Sequence, residues 1–411
     1  MPAPVAQRIE YRFPKPAVGG SNPPGSTTLL LSLKSNNKQK LTVEIFSPSI
    51  RIGRMDFPLY STKDIKIKEK FNLNTPLGRK KYFAAKAGKE VAELKEYLDN
   101  NTFIGFMLAK KMAGKGTYSK IFEEIIGTSR VYQFSIGDLI RKVHQTLESD
   151  QEEKSKILEY INRKYRGYIS DKTAIEALLN RSTEKVSVPT ELLLALVKRE
   201  IESKPRKAVF IDGFPRTLDQ VSYSLYFREI MNLRDDPDFF VLIDIPESVI
   251  DARLKSRVIC PVCNTSRNTR LLPTQFIKYD KAQGDFYLIC DNPECNGYGK
   301  EKMIPKEGDD LGIKAIKPRL EMDGELMEQA YQLHGIPKVL LRNHVPIEES
   351  NKFDSYELTP EYSYEVTKSG KIKINETPWT IIDDDGIESH SLLAAPVVLS
   401  MIRQIHKILL G

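Results

Sequence analysis

The sequence predicts an α/β protein of the P-loop type, whose core is a doubly wound, parallel, five-stranded sheet. The first observation is that helix-compatible segments alternate with short apolar runs, which is typical of parallel sheets; the runs are 103–108, 131–135, 208–212, 239–245 and 379–382. The second is a loop with glycine and lysine directly after the first run. The third is a stretch, 258–308, that contains every cysteine of the chain and has the texture of a small zinc-ribbon-like module.

The composition argues against two broad classes of protein. The chain has 411 residues, of which 40% are apolar and 28% are charged, so it can bury a large core. Its apolar runs are shorter than the ~20 residues that cross a bilayer, so no membrane partner is predicted. The formal charge is +7, but residues 1–54 hold eight Lys/Arg against two Glu. The rest of the chain is therefore nearly neutral, which argues against nucleic acid as a partner.

Residues 1–54 form a basic segment rich in Pro, Gly and Ser, and we expect a spurious or disordered N-terminal extension. Residues 19–23 can be encoded by the TΨC-arm consensus of a transfer RNA gene, which indicates an over-extended reading frame and a true start at Met55. A basic arm that binds RNA or a membrane is the alternative. No long apolar stretch follows the early arginines, so no secretory signal is predicted and a cytoplasmic location is expected.

The remaining chain divides into a core with additions. Residues 55–101 are predicted to be an N-terminal helical extension, in which Thr75 caps a helix that begins with Pro76. A helical insertion is predicted at 136–206 and the cysteine module at 258–308. The predicted core segments are 102–135, 207–257 and 309–411.

Two β-hairpins are predicted outside the core sheet. In the cysteine module, 276–279 and 286–289 flank a Lys-Ala-Gln-Gly turn. The second hairpin lies in an insertion at 336–378 and has a Lys-Ser-Gly-Lys turn. Its facing residues are Tyr362, Tyr364 and Val366 on one strand and Ile372 and Ile374 on the other.

The loop 109–117 carries the first candidate chemistry. It matches the phosphate-loop pattern GxxxxGK[ST] at Gly114 and Lys115, but Ala109 replaces the first glycine and Thr117 comes one residue late. Small residues let backbone N–H groups surround a phosphate, and a lysine at the helix N-terminus reaches its oxygens. A lysine-rich surface turn is the alternative. The predicted ATP-binding residues of this loop are Gly114, Lys115, Gly116 and Thr117.

A second motif ends the run 208–212. The sequence Asp-Gly-Phe-Pro-Arg begins at Asp212 and ends at Arg216, and Gln220 follows four residues later. An arginine can hold a phosphate through two parallel hydrogen bonds. An ordinary turn with a capping aspartate is the alternative. The complete motif resembles the signature of the adenylate kinase family, whose members phosphorylate nucleoside monophosphates (NMPs).

The resemblance implies roles for this half of the site. Asp212 would hold the hydration shell of Mg²⁺, Arg216 would bind the phosphate of the NMP, and Gln220 would hydrogen-bond to its base. The segment 135–141 resembles the entrance to the family's NMP-binding helices, although Ile136 replaces a threonine. The implied NMP-binding residues are Ser135, Ile136, Arg141, Gly213, Phe214, Arg216 and Gln220.

Further arginines resemble family positions at the two ends of a lid, which the cysteine module would form. Arg253 and Arg257 precede the module, and Arg319 follows it. Asp309 and Asp310 match an acidic pair that closes the lid. Phosphoryl transfer needs cations around oxygens that gain charge; each arginine alone is more often a solvated surface charge. The implied catalytic residues are Lys115, Arg141, Asp212, Arg216, Arg253, Arg257 and Arg319, and the implied ATP contacts add Arg253, Arg257 and Gly386.

The four cysteines have the spacing of a metal site. They form a CxxC pair and a CxxxxC pair that are separated by 26 residues. Four thiolates suit a structural Zn²⁺ in tetrahedral coordination, and disulfides are the alternative, which a cytoplasmic location disfavours. Some members of the family carry such a cluster in the lid. The predicted ligands are Cys260, Cys263, Cys290 and Cys295.

The resemblance implies an enzyme that uses Mg²⁺ and transfers a phosphoryl group from ATP to AMP, giving two ADP. It also implies a monomer whose partners are small-molecule nucleotides. Ala109, Lys111 and Met112 depart from the family, which has Gly, Pro and Gly at these positions. A kinase for CMP, UMP or GMP remains an alternative, as does a catalytically silent nucleotide-binding or zinc-ribbon protein.

Overall fold

The computed structural model describes residues 55–180, 188–204, 206–218, 220 and 237–411. The expectation that residues 1–54 are spurious or disordered concerns residues outside this set. Within the described part, Met55–Gly411 forms one unit. Among these residues, no helix combines the length and the hydropathy that crossing a membrane requires.

The described helices are Pro76–Asn100, Lys115–Ile126, Ile136–Ser149, Gln151–Lys164, Asp171–Leu179, Thr190–Glu202, Glu247–Lys255, Lys317–Gln332 and Ala394–Leu410, and the described 3₁₀ helices are Gly312–Ile316, Ile347–Lys352 and Ser355–Glu357. The described strands are, in chain order, β1 (Ile104–Ala109), β2 (Val131–Ser135), β3 (Ala208–Asp212), β4 (Asp238–Asp244), β5 (Arg257–Ile259), β6 (Ser266–Asn268), β7 (Phe276–Asp280), β8 (Asp285–Ile289), β9 (Ile304–Pro305), β10 (Lys338–Arg342), β11 (His344–Pro346), β12 (Pro360–Val366), β13 (Ile372–Pro378), β14 (Thr380–Ile382) and β15 (Glu388–Ser391).

A five-stranded sheet with the order β10-β4-β1-β3-β2 forms the core, and all of its strand pairs are parallel. All six residues of β1 are buried, as expected for a central parallel strand that is covered on both faces. The helices Lys115–Ile126, Lys317–Gln332 and Ala394–Leu410 pack against the sheet. The predicted α/β class with a five-stranded parallel sheet is therefore confirmed.

The fifth strand of this sheet is not the one that the sequence predicts. The prediction used the run 379–382, whereas the sheet takes Lys338–Arg342, which lies inside the predicted insertion 336–378. Residues 380–382 instead form β14, which pairs antiparallel with β15 in a separate sheet that also contains β11. The physical reason is the edge position of β10. Only Val339 and Leu341 are buried there, and Lys338 and Arg342 limit the apolar run to three residues.

The N-terminal segment docks through one long helix and a buried ionic network. The Thr75 hydroxyl accepts a hydrogen bond from Gly78 N (3.1 Å), which confirms the predicted cap of the helix Pro76–Asn100. Further along this helix, the fully buried Lys86 Nζ donates to Asp354 (2.7 Å) and to Glu357 (2.9 Å). Separation of a buried ion pair would leave an uncompensated charge, which is strongly destabilising. The network therefore fixes the segment that leads into β12 against the N-terminal helix.

The cysteine module and the hairpin insertion contain the predicted strand pairs. In the module, β7 pairs with β8 around the Lys-Ala-Gln-Gly turn, and β5 lies between β6 and β9. In the insertion, β12 pairs with β13, so that Tyr364 lies opposite Ile374 and Val366 lies opposite Ile372. Both hairpins are confirmed.

Candidate functional site

A cavity of about 630 Å³ lies beside the loop that follows β1. The loop reaches it at the carboxyl end of a parallel strand, which is where open α/β sheets usually bind ligands. Asp212, at the end of the neighbouring strand β3, also lines it. Further lining residues come from distant segments of the chain: Asn268, Leu271, Leu272, Thr359, Leu392 and Leu393.

The predicted phosphate loop has the backbone features that an anion requires. Gly114 has φ +97°, in the left-handed region that favours glycine, and the helix Lys115–Ile126 begins at the next residue. No side chain caps this helix end. Thr117 N donates to Gly114 O (2.8 Å), so the N–H groups of Lys115 and Gly116 are those available to a phosphate. Lys115 Nζ donates to Ala109 O (2.9 Å) and lies 3.7 Å from Asp212 Oδ1. The lysine is thus held across the loop between two oxygens.

Met112 is one of the departures from the family pattern, and it adopts a strained backbone conformation. Its φ is +68°, where a residue with a side chain costs roughly 1–2 kcal/mol relative to glycine. Met112 O accepts a hydrogen bond from Arg253 Nη1 (3.4 Å), so the backbone conformation at Met112 also positions the side chain of Arg253.

Replacement of Met112 by glycine is expected to give a free energy of unfolding about 1 kcal/mol higher than replacement by alanine, because glycine adopts a positive φ without steric cost. Chemical denaturation of both proteins measures the difference. Met112→Ala is the control, since alanine shortens the side chain but keeps the Cβ atom and with it the strain. An equal gain from both variants would assign the effect to the side chain and contradict this account.

Two carboxylates border the loop, and each has a cationic neighbour: Lys115 lies beside Asp212, and Arg319 pairs with Asp323. Burial raises the pKa of Asp212, the nearby Lys115 lowers it, and Asp323 raises it again. Asp323 Oδ2 also accepts a hydrogen bond from Lys111 N (2.9 Å), and burial raises the pKa of Asp323 as well. A metal cation bound here would stabilise the ionised form that burial disfavours in both carboxylates.

The three arginines around the lid are paired with protein groups in this structure. Arg257 makes a bidentate ion pair with Asp309 (2.5 and 2.6 Å), and Arg253 and Arg257 both line the cavity. Arg319 pairs with Asp323 (2.8 Å). The oxygens of a bound phosphate would replace these carboxylates as the partners of Arg257 and Arg319. The carboxylates thus hold the two arginines near the loop.

The predicted NMP-binding residues lie outside this cavity, around the ends of β2 and β3. The Ser135 hydroxyl caps the helix Ile136–Ser149 by accepting from Asp138 N (3.1 Å). Arg141 pairs with Asp138, and both side chains are exposed. Ile136, the departure from the family pattern, is fully buried. Gly213 adopts φ +81°, and the following Phe214 is fully buried.

Gln220 is buried, and its side-chain amide is fixed at both ends. Its oxygen accepts from Arg216 N (2.7 Å), and its nitrogen donates to the Thr190 hydroxyl (3.1 Å). The structure therefore joins Gln220 to the backbone of Arg216, and the binding of an NMP by these two residues stays a prediction. Thr190 was not predicted from the sequence, because it belongs to a helix that is distant in the chain.

Gly386 is not among the residues that line the cavity. It lies in the turn between β14 and β15, where Gly386 N donates to Asp383 O (3.0 Å) and the Asp383 side chain accepts from Asp385 N and Ile387 N. Asp383 thus closes an ordinary turn, whereas Asp384 accepts from Lys110 Nζ of the phosphate loop (2.8 Å). The segment that does reach the cavity begins at Leu392, just before the last helix. Its short apolar sequence carries no signal of a ligand site.

Tyr118 and Asn343 are further residues near the site that the sequence did not single out. Both are buried, and Asn343 Nδ2 donates to the Tyr118 hydroxyl (2.7 Å). Burial raises the pKa of Tyr118, and the neighbouring Arg253 lowers it. The buried hydroxyl therefore lies where it can orient Arg253.

The four cysteines converge as the spacing predicts. All four Sγ atoms lie within 4.8 Å of one another, and no disulfide joins them. The Sγ separations are 3.8 Å between Cys260 and Cys295 and 3.7 Å between Cys263 and Cys290. A tetrahedral Zn²⁺ with Zn–S bonds of about 2.3 Å needs sulfur separations of about 3.8 Å, far above the ~2.05 Å of a disulfide. The donor set and its size therefore fit zinc.

The thiols of this cluster differ in pKa. Burial raises the pKa of Cys290 to about 12, whereas hydrogen bonds with Thr265 lower the pKa of Cys263 to about 6. A bound cation would deprotonate all four sulfurs, because metal coordination stabilises the thiolate.

Comparisons with known proteins identify the relatives of this chain. It is 33% identical over 223 residues to the adenylate kinase of Thermotoga neapolitana, an alignment that covers 50% of this chain and 89% of the relative. It is 31% identical over 198 residues to the adenylate kinase of Thermotoga petrophila (48% and 70%) and 27% identical over 216 residues to that of Mesoplasma florum (52% and 79%). No protein-family model matches the chain. On the strength of these alignments and of the parallel sheet, the chain belongs to the adenylate kinase family.

Proposed function

We propose that this protein catalyses the transfer of the terminal phosphoryl group of Mg-ATP to AMP, giving two ADP. The observation that carries the proposal is the single cavity that joins the phosphate loop, Asp212 and two arginines. Phosphoryl transfer asks a protein for positioning and for positive charge around the transferred group, with little need of a side-chain base. Lys115, Arg253 and Arg257 supply that charge at the donor side.

The apolar part of the cavity suits the base of the donor nucleotide. Leu271 and Leu272 come from the lid, and Leu392 and Leu393 precede the last helix. Apolar side chains give stacking area, and a few polar groups fix orientation in most nucleotide-sized sites. The triphosphate would then extend towards the N-terminus of the helix Lys115–Ile126, where backbone N–H groups and Lys115 would bind it.

The acceptor half of the proposed site consists of Arg216 and Gln220. Arg216 would hold the phosphate of the monophosphate, since its planar fork pairs with two oxygens. Gln220 has one donor and one acceptor in a fixed amide, a pattern that complements the amino group and a ring nitrogen of adenine. The two protein groups that now hold this amide, Arg216 N and Thr190, keep its orientation defined.

Mg²⁺ belongs to the proposed reaction, and the residues beside the loop fit it. Asp212 and Asp323 are carboxylates, which Mg²⁺ prefers, and a bound cation would favour the ionised form that burial disfavours. Asp212 would hold the ion through its hydration shell. When bound with ATP, Mg²⁺ neutralises charge on the phosphate oxygens. Lys115, whose Nζ lies 3.7 Å from Asp212 Oδ1, would contact the same phosphate.

A comparison of acceptors tests the proposed function. With saturating Mg-ATP, we expect AMP to give nucleoside diphosphate with a kcat/KM at least roughly tenfold above CMP, UMP or GMP. Uracil and guanine present a carbonyl and a ring N–H, which do not match the fixed orientation of the Gln220 amide, and cytosine has the right groups on a smaller, single ring. A coupled assay of ADP formation measures the rates. Higher activity with another monophosphate would identify that nucleotide, instead of AMP, as the acceptor. No activity with any of them would favour a catalytically silent nucleotide-binding protein.

A further inference from the structure

The hairpin formed by β12 and β13 packs against the cysteine lid, although it belongs to the C-terminal part of the chain. Its first strand makes two hydrogen bonds to the lid backbone. Tyr362 N donates to Arg270 O (2.7 Å), and the Tyr364 hydroxyl donates to Thr269 O (2.6 Å). Burial raises the pKa of Tyr364 to about 12, so this hydroxyl remains a donor at neutral pH.

Side chains add two further contacts between the hairpin and the lid. Arg270 Nε donates to Glu361 Oε1 (3.0 Å), in an ion pair that is partly exposed. The ring of Tyr364 lies 5.5 Å from the ring of Phe286, which in turn lies 4.9 Å from the ring of Tyr279. The hairpin therefore touches the lid through backbone, charge and aromatic contacts at once.

The lid segment that the hairpin holds, residues 268–272, is a wall of the phosphate-loop cavity. Asn268, Leu271 and Leu272 line the cavity. The Asn268 side chain stiffens this segment, because its oxygen accepts from Arg270 N (3.0 Å) and Leu271 N (2.9 Å) and its nitrogen donates to Arg253 O (3.2 Å). A shift of the segment would therefore change both the apolar wall and the position of Arg253.

The base of the hairpin belongs to the other wall of the same cavity. Thr359, the residue before β12, lines the cavity; its backbone N donates to Ser391 O (2.7 Å) and its O accepts from Trp379 N (3.0 Å). Next to it, Leu358 forms a β-bridge with Leu392, another lining residue. The hairpin thus connects a wall made by the lid to a wall made by the core.

We propose that this hairpin is a clamp for the donor nucleotide, with Tyr364 and Glu361 as its positioning residues. Its contacts must break when the lid moves away from the core, so they favour the arrangement in which residues 268–272 enclose the cavity. The clamp therefore sets the affinity for Mg-ATP, whereas the acceptor residue Gln220 is held by Arg216 N and Thr190, away from the hairpin sequence. This inference rests on the proposed function, since it assigns the cavity to the donor.

The variants Tyr364→Phe and Glu361→Gln test the clamp. Tyr364→Phe keeps the ring and removes the hydrogen bond to Thr269, so we expect the dissociation constant for Mg-ATP to rise roughly fivefold. Glu361→Gln weakens a partly exposed ion pair and should raise it about twofold. The dissociation constant for AMP should stay within about twofold of wild type. Glu365→Gln is the matched control, because Glu365 lies on the same strand but contacts Lys373 and Asn375 of the hairpin itself.

A charge exchange gives a readout that a merely structural role would not produce. Arg270→Glu should weaken Mg-ATP binding, and addition of Glu361→Arg should restore it, with isothermal titration as the measurement for each protein. Thermal unfolding of each variant establishes that it is folded.

The possible failures can be told apart. If wild type binds Mg-ATP but Tyr364→Phe binds it as tightly as Glu365→Gln does, the clamp is overturned and the proposed function stands. An equal loss of AMP binding in Tyr364→Phe also overturns the clamp, because a donor-side device would not affect the acceptor. If wild type binds no Mg-ATP, the proposed function fails, and the clamp fails with it.

Discussion

Replacement of Lys115 by alanine is expected to lower kcat for ADP formation roughly 10²–10³-fold. Lys115 Nζ lies between Ala109 O and Asp212 at the N-terminus of the helix Lys115–Ile126, where it would meet the phosphate that is transferred. Removal of one preorganised donor from a site of developing negative charge commonly has an effect of this size. Initial rates at saturating Mg-ATP and AMP measure the change.

Lys111→Ala is the matched control for this variant. Lys111 belongs to the same loop, but its side chain is exposed and only its backbone N–H is used, in a hydrogen bond to Asp323. We expect this control to retain kcat within about threefold of wild type. If Lys111→Ala lost as much activity as Lys115→Ala, the loop would act through its total charge, and the role assigned to Lys115 would be wrong.

The second large effect is expected from Cys290→Ser. The lid buries few apolar side chains apart from its cysteines; Val258, Leu288 and Met303 form its own small core. Each contributes about 2 kcal/mol, whereas structural zinc contributes ~10 kcal/mol or more to small domains of this kind. The loss of one buried thiolate should therefore reduce bound zinc from about one atom per chain towards zero and unfold the lid locally.

Metal analysis of the purified protein and limited proteolysis measure this prediction. We expect new cleavage within residues 258–308 of the Cys290→Ser protein, while the core sheet stays protected. Lys281→Ser, in the exposed turn between β7 and β8, is the control. It should retain both the bound zinc and the resistance of the lid to proteolysis. Wild-type protein that contains no zinc, or a Cys290→Ser lid that resists proteolysis as well as wild type does, would contradict the metal site.

The fold could be predicted wherever burial covers a whole strand. The strands β1, β3 and β4 are nearly continuous apolar runs because both of their faces are covered. The edge strand β10 escaped prediction because Lys338 and Arg342 flank only two buried residues. The run 379–382, by contrast, is mostly apolar but does not belong to the core sheet. Trp379 and Ile381 are buried, but Ile382 is 58% exposed, which is typical of a short antiparallel strand at the surface.

The candidate site could be predicted where local sequence carries the chemistry. The phosphate loop, the motif that ends at Gln220 and the four cysteines each occupy a short stretch with a required spacing. Thr359 and Leu392 reach the cavity only through the pairing of distant segments, so no local pattern indicates them. Gly386 was predicted to contact ATP but does not line the cavity. A turn of Asp and Gly residues has the same local sequence whether or not it contacts a ligand, so the sequence cannot decide between the two.

The most direct test of the central claim follows the phosphoryl group itself. The protein is incubated with Mg²⁺ and ATP that is labelled in its terminal phosphate, with and without AMP, and the nucleotides are separated. We predict that the label appears in the β-phosphate of ADP, that its appearance requires AMP, and that Lys115→Ala abolishes most of it. Label that is released only as inorganic phosphate, or that stays in ATP when AMP is present, would contradict the assignment of this cavity to phosphoryl transfer between nucleotides.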